Sequence, residues 1–281
     1  MRALIEVFSC RLRSGAMNTS DPLLKPFADS PRTSGIFLDF DGTLSEIAHL
    51  PGEARPLPGV AQRLEFLAKR FGLVAIVSGR AAHQLLEWLG PNIEIWGIHG
   101  AERTIDGAVA LSERAAVYTD LMRGVKEEAA AELERLALEG VLLEDKGVMM
   151  SLHFRPAVDQ ERARRELDRL AGELAARHGL LRAGGRLAFE LRPPVEFTKA
   201  AVVLDRTREL GLTAAAFIGD DRIDLPGFDA LDQLANENVH TLRVAVDSVE
   251  APPELLDRAD LVVPGPTGVI ELLSMLSPEG A

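Results

Sequence analysis

Apolar residues change their spacing along the chain, and each change predicts a different kind of element. Ile36-Phe37-Leu38 follows Gly35 as an unbroken apolar run, the pattern of a strand buried on both faces. Ser45–Gly59 holds Pro51, Pro56 and Pro58 and reads as an exposed loop. Val60–Arg70 returns its apolar residues at helical spacing, and Leu73–Val77 is a second buried strand, ending in Ser78-Gly79-Arg80. A helix over Ala82–Leu89 is stopped by Gly90-Pro91, and a third strand, Ile93–Gly97, leads into Ile98-His99-Gly100-Ala101-Glu102. Strand, helix, strand, helix, strand predicts an α/β fold with a doubly wound parallel sheet and right-handed crossovers.

The rhythm then breaks. Glu113–Leu138 predicts one long helix; Val141–Glu144 and Val148–Arg155 form a hairpin around Lys146-Gly147. Gln160–His178 is a second helix, and Leu180–Ala183 with Arg186–Arg192 form a hairpin around Gly184-Gly185. Helix, hairpin, helix, hairpin is an α+β cap with an antiparallel sheet. βα alternation resumes with a helix over Phe197–Leu210 and strands at Ala214–Ile218, Leu242–Val246 and Leu261–Val263, then a last helix from about Thr267 to Leu276. The expected organisation is an irregular extension over 1–30, a core split between 31–108 and 193–281, and a cap over 109–192. Met17 is a candidate for the true start.

Alternation assigns the cap faces. Val148, Met150, Leu152 and Phe154 share one side and Met149, Ser151, His153 and Arg155 the other. Leu187, Phe189 and Leu191 oppose Arg186, Glu190 and Arg192. The apolar sides are expected against the cap helices. A polar sheet face is most often merely solvated, but an inserted sheet must cover something.

Composition narrows the partners. A net charge of −12 over 281 residues argues against general binding of nucleic acid or anionic membranes. One cysteine excludes an intrachain disulfide framework and suits a reducing cytosol, so a cytoplasmic protein is expected. No apolar run reaches membrane-spanning length. The expected partner is a small molecule, and the expected state a monomer or weak oligomer.

The chemistry-bearing residues fall where parallel strands end. Asp39 and Asp41 close the first strand, Ser78 the second, and Asp220 and Asp221 the strand at Ala214–Ile218, with Asp224 one turn on. Each has a plain structural explanation alone, since Ser-Gly-Arg is a common turn and Asp220 or Asp224 could cap a helix. Together they make an oxygen-rich cluster suited to Mg²⁺. Lys199 opens a helix, where a positive charge opposes the dipole and so invites a functional reason.

These residues resemble the motifs of the haloacid dehalogenase-like phosphotransferases: Asp39-Phe40-Asp41-Gly42-Thr43-Leu44, Ser78, Lys199 and Gly219-Asp220-Asp221-Arg222-Ile223-Asp224, in that order. The resemblance implies that Asp39 is the nucleophile, forming an aspartyl phosphate, and Asp41 the proton carrier. It implies Mg²⁺ held by Asp39, the Asp41 carbonyl and Asp220, with Asp221 and Asp224 behind, and phosphoryl oxygens held by Ser78 and Lys199. The cap is similar to that of the trehalose-6-phosphate phosphatases, through Gly97–Glu102, Leu143–Gly147, Leu152–Arg155 and Glu190-Leu191-Arg192-Pro193. That similarity implies a Mg²⁺-dependent phosphomonoesterase for trehalose 6-phosphate in which Glu144, Lys146 and Glu190 bind the sugar. Arg80, His99 and Arg155, in or beside these motifs, join them as substrate contacts. A phosphatase for sucrose phosphate or a glycosylglycerate phosphate is the alternative, followed by a non-catalytic sugar-phosphate-binding domain. Ala200 replaces a usual glycine, Ile223 stands where a threonine is usual, and Leu225-Pro226 stands where the relatives have acids.

Overall fold

The computed structural model describes residues 21–276 apart from 49, 112, 186, 196, 249 and 250. The first part of the core runs α1 (Lys25–Asp29), β1 (Ser34–Leu38), α2 (Val60–Arg70), β2 (Leu73–Val77), α3 (Ala82–Leu89), β3 (Glu94–Gly97), β4 (Glu102–Ile105) and β5 (Ala108–Leu111). The cap follows as α4 (Glu113–Ala116), α5 (Thr119–Leu136), β6 (Leu142–Asp145), β7 (Met150–His153), α6 (Gln160–His178), β8 (Leu181–Gly185) and β9 (Ala188–Arg192). The chain returns through α7 (Lys199–Glu209), β10 (Ala214–Gly219), α8 (Leu225–Ala235), β11 (His240–Asp247), α9 (Pro253–Arg258), β12 (Leu261–Pro264) and α10 (Gly265–Leu276).

The core sheet has the order β12-β11-β10-β1-β2-β3-β4-β5. Pairing is parallel from β12 through β3 and antiparallel in β4 and β5. Each parallel strand sends alternate residues to opposite sides. From β1, Ile36 and Leu38 join the cluster containing Val60, Leu85 and Leu273, while Phe37 joins Val203, Phe228 and Leu255 on the other side. β10 divides in the same way, with Ala216 and Ile218 on the first side and Ala215 and Phe217 on the second. Helices therefore cover both faces, which is why these strands read as continuous apolar runs. The chain winds outward from β1 through β2 and β3, then restarts at β10 and winds the other way. β1 and β10 flank the switch point, where the ends of neighbouring strands leave a crevice for a ligand.

The cap is a four-stranded antiparallel sheet, β6-β7-β9-β8, backed by α5 and α6. Met150, Leu152 and Leu191 face Met122, Val125, Leu167 and Leu174 in its own core. Val148 departs from the expected face. With Met149 it is buried against Ile98, Ala101 and Ala115, with Phe197 alongside, so the turn joining β6 to β7 is embedded in the core.

Four further differences have local causes. Within the stretch expected to be irregular, Lys25–Asp29 form α1, which buries Phe27, with Leu24 buried at its N-cap. Residues 1–20, including Met17, lie outside the described residues. The hairpin β4–β5 extends the core sheet across the expected boundary at 108–109; its strands are mostly exposed and lack the apolar face that would announce them. The long cap helix is broken at Val117-Tyr118 into α4 and α5. The Gly-Gly pair belongs to β8, pairing with Phe189 and Ala188, and the turn instead contains Leu187 at φ 51°. Leu187 is exposed in that turn instead of packing with Leu191, and Arg186 lies outside the described residues. Among the described residues, no helix is long and apolar enough to cross a membrane.

Candidate active site

Asp39 follows β1 directly, and its N–H donates to the Ile218 carbonyl of β10 at 2.9 Å, tying the switch point together. The chain then turns at Gly42, which has φ 79°. A Cβ at Gly42 would lie 2.1 Å from the Asp220 carboxylate, so only glycine lets the loop after β1 close on the loop after β10. Lys199, 1% exposed, donates to Asp39 at 2.7 Å and to Asp224 at 2.5 Å. The second Asp224 oxygen accepts the Asp220 and Asp221 N–H groups, each at 3.0 Å. The Thr198 hydroxyl accepts the Ala201 N–H and caps the helix that Lys199 opens.

Carboxylate oxygens of Asp39, Asp220 and Asp224 lie within 4.8 Å of one another, all buried. Burial raises the Asp39 carboxyl well above its ordinary range; Lys199 opposes this, while Asp224 and Asp220 add to it. Burial opposes the Lys199 ammonium, but Asp224 and Asp39 outweigh it and raise its pKa. Lys199 pairs with Asp39 and Asp224, and Asp220 brings a further buried carboxylate beside them. This buried, all-oxygen donor set fits a hard divalent cation. Asp224 commits both oxygens to Lys199 and the two amides, which leaves Asp39 and Asp220 as the carboxylates best able to hold it.

Asp41 points elsewhere. Its carboxylate receives two hydrogen bonds from Arg80, each 2.7 Å, in a bidentate pair. The Arg80 guanidinium lies 5.6 Å from the Phe40 ring centre and 5.4 Å from that of Trp88, which fixes its plane. Asp41 keeps 38% of its side chain exposed, so the pair orients the carboxylate without covering it. Ser78 is buried beside them, its hydroxyl accepting the Arg80 N–H at 3.2 Å. Ile98 and His99 both have positive φ, 50° and 56°, held by N–H donation to the Arg80 and Ser78 carbonyls at 2.9 and 2.8 Å. Such backbone costs on the order of 1–3 kcal/mol per residue and persists only where the surroundings impose it. Here it places the His99 ring over Gly79.

The cap supplies the opposite wall. Its register lines Glu144, Ser151, Glu190 and Ala183 across the sheet in one row, all on one face. Lys146 bridges this row, 2.8 Å from Glu190 and 3.7 Å from Glu144. His153 is 2.8 Å from Glu144, and His99 reaches across from the core to 3.8 Å from Glu190. Burial alone would raise both glutamates, but the His153 hydrogen bond and Lys146 bring Glu144 below its ordinary value. Lys146 and His99 hold Glu190 well below it. Both acids are thus charged acceptors, and Lys146 is a charged donor between them.

A cavity of about 250 Å³ joins the two walls. It is lined by Asp39, Asp41, Ser78, Arg80, His99 and Asp221 from the core, and by Glu144, Lys146, Arg155 and Glu190 from the cap. Lys199, Asp220 and Asp224 do not reach its surface and stand behind Asp39. Lys199 therefore touches carboxylates here, where the motif resemblance implied phosphoryl oxygens. Ser151, His153, Ile47 and Ile223 also line the cavity; none was assigned a role from the motifs, although His153 and Ile223 lie within them. Alternation had put Ser151 and His153 on the polar face, so that signal was present. Ile223, 45% exposed at the cavity, is visible in the sequence only as a departure. Leu225-Pro226 is accommodated, with Pro226 in the first turn of α8 and Leu225 buried.

Residues 37–256 match the trehalose-phosphatase family model, well over half of the chain. The trehalose-phosphate phosphatase of Mycobacterium leprae is 34% identical over 214 residues, covering 71% of this chain and 48% of the relative. That of Mycobacterium marinum is 33% identical over 246 residues, covering 81% and 60%. The chain thus spans about half the length of the curated relatives it matches. The C. albicans trehalose-6-phosphate phosphatase C-terminal domain has the same fold, with TM-score 0.72 at 21% identity, over 94% of this chain and 99% of that one. A trehalose-6-phosphate phosphatase related protein aligns with TM-score 0.72 at 23% identity, over 86% and 96%. A haloacid dehalogenase-like hydrolase from Bacteroides thetaiotaomicron has TM-score 0.57 at 16% identity, over 86% and 98%. On its family match and its architecture together, this chain belongs to the trehalose-phosphatase family and has the capped α/β fold of haloacid dehalogenase-like hydrolases.

Proposed function

We propose that the chain hydrolyses trehalose 6-phosphate to trehalose and phosphate in the cytoplasm, with Mg²⁺ and as a monomer or weak oligomer. One observation carries this reading. A single cavity has the Asp39–Asp41 pair on its core wall and the Glu144–Lys146–Glu190 row on its cap wall. The first suits phosphoryl transfer. The second offers charged acceptors and a donor to sugar hydroxyls.

Asp39, Asp220 and the Asp41 carbonyl would hold Mg²⁺, supported by Asp221 and Asp224. When bound, the ion offsets the clustered negative charge and stabilises the phosphoryl oxygens. An Asp39 oxygen attacks phosphorus, the bond to the sugar oxygen breaks, and Asp41 gives that oxygen a proton. Water then attacks the aspartyl phosphate while Asp41 takes back a proton, releasing phosphate and freeing Asp39. Lys199 opposes the burial that raises the Asp39 carboxyl and so favours the ionised form that attacks. Arg80 aims Asp41 by donating one hydrogen bond to each of its oxygens. The Ser78 hydroxyl, with Arg155 and His99, would complete the substrate contacts.

Phosphate release from a panel of phosphosugars, with and without Mg²⁺, tests the proposal. Trehalose 6-phosphate should be preferred and chelation should abolish turnover. Preference for sucrose phosphate or a glycosylglycerate phosphate would move the substrate within the class. Full activity in Asp39→Asn would overturn the mechanism.

A further inference from the structure

Lys146 stands at the centre of the cap row, yet its side chain has four rotatable bonds and its position depends on how its backbone is anchored. The anchor lies outside the cavity. Lys126, midway along α5, is only 12% exposed, unusual for a lysine on a surface helix. Its ammonium donates to the Asp145 carboxylate and, at 2.7 Å, to the Gly147 carbonyl. These residues flank Lys146 on either side. The Gly147 N–H returns to the same Asp145 oxygen at 2.7 Å, closing a tight turn in which Gly147 has φ 71°.

The core supports this turn from its other side. A Cβ at Gly147 would lie 3.7 Å from a Glu102 oxygen, and the second Glu102 oxygen accepts the Ala82 N–H at 2.7 Å. The Lys146 N–H donates to the Met149 carbonyl at 3.0 Å, linking the turn to the buried Val148-Met149. A nearly buried ammonium is costly without partners. An apolar residue would fill the same space more simply, and the cap core gives no other reason for a cation there.

The geometry points to Lys126 as a positioning residue that holds the Asp145–Gly147 turn so that Lys146 bridges Glu144 and Glu190. This rests on reading those three residues as the sugar-binding row. Lys126 touches no substrate and acts through Lys146. Its loss therefore weakens sugar binding while leaving phosphoryl transfer intact. Nothing at the sequence level marks it, because it lies 19 residues from Asp145 within a helix rich in Ala, Glu and Arg.

The experiment compares wild type, Lys126→Met, Lys126→Arg, Asp145→Asn and the Met/Asn double variant. It measures KM and kcat on the phosphosugar that wild type hydrolyses best and on p-nitrophenyl phosphate, with amide hydrogen exchange over 145–148. Lys126→Met should raise KM for the sugar phosphate about tenfold, as expected for one charged hydrogen-bonding group. It should leave p-nitrophenyl phosphate turnover within about twofold and speed exchange at Gly147. Arginine should restore most of the loss, and the double variant should be no worse than either single one. An unchanged sugar KM, an equal loss on p-nitrophenyl phosphate, or arginine behaving like methionine would overturn the assignment. A wild type with no preference for any sugar phosphate would overturn the proposed function instead, and the exchange data would still decide whether Lys126 holds the turn.

Discussion

Glu190 is where burial and charge oppose each other most clearly. Burial pushes its carboxyl up, but Lys146 and His99 outweigh that and hold it well below its ordinary 4.5. A depressed acid contributes stability that is complete above the unfolded value and lost as pH falls through the folded one. Lys146 is the mirror case. Burial lowers it, Glu190 and Glu144 more than compensate, and its contribution is complete below 10.5 and lost as pH rises through its elevated value. Glu190→Gln should destabilise the protein by about 3–5 kcal/mol at neutral pH, because it leaves Lys146 short of a partner. The gap from wild type in urea unfolding should hold down to about pH 5 and narrow as pH falls below 4.5, since wild type then loses the same interaction. A constant gap would contradict this account. Sequence resemblance brought out Glu190, Glu144 and Lys146 but could not show which group holds which. The Arg80–Asp41 pair is of the same kind: both residues were named, while their bidentate contact joins positions 39 residues apart.

At the scale of elements, two neighbouring loops build the reaction centre. The loop after β1 carries Asp39 and Asp41, and the loop after β10 carries Asp220, Asp221 and Asp224. Gly42 is the point where they touch. Gly42→Ala would impose a left-handed conformation on alanine, costing roughly 1–2 kcal/mol. It would also drive its Cβ into the Asp220 carboxylate. The expected result is a small loss in melting temperature with kcat/KM down about 100-fold, because a displacement of about 1 Å can cost that much. Wild-type activity in this variant would show that Asp220 does not depend on the approach. Buried strands and periodic helices were legible because their patterns are local: α2, α3 and β2 match their predicted bounds. β4 and β5 were not, since an edge hairpin with both faces partly wet has no apolar stripe to read. The Gly-Gly pair misled for the opposite reason, as residues that permit a turn do not require one.

At the scale of the molecule, alternation along the cap strands picks out a polar face whose Ser151, His153 and Glu190 line the cavity opposite Asp39 and Asp41. It could not show that the turn joining β6 to β7 is built into the core. Val148 and Met149 pack on Ile98, Ala101 and Ala115, beside Phe197, so the cap has a third attachment besides its two chain crossings. That attachment limits how substrate specificity can be inherited or engineered. Grafting residues 113–192 onto another core of this fold would carry the sugar-reading row but leave its socket behind. Such a chimera should fold and hydrolyse p-nitrophenyl phosphate, yet show no preference for the disaccharide phosphate until Ile98, Ala101 and Phe197 are transferred as well. Full sugar preference in the chimera without the socket would show the cap to be a freely exchangeable cassette. With the socket required, a new substrate must be reached by changing lid and socket together.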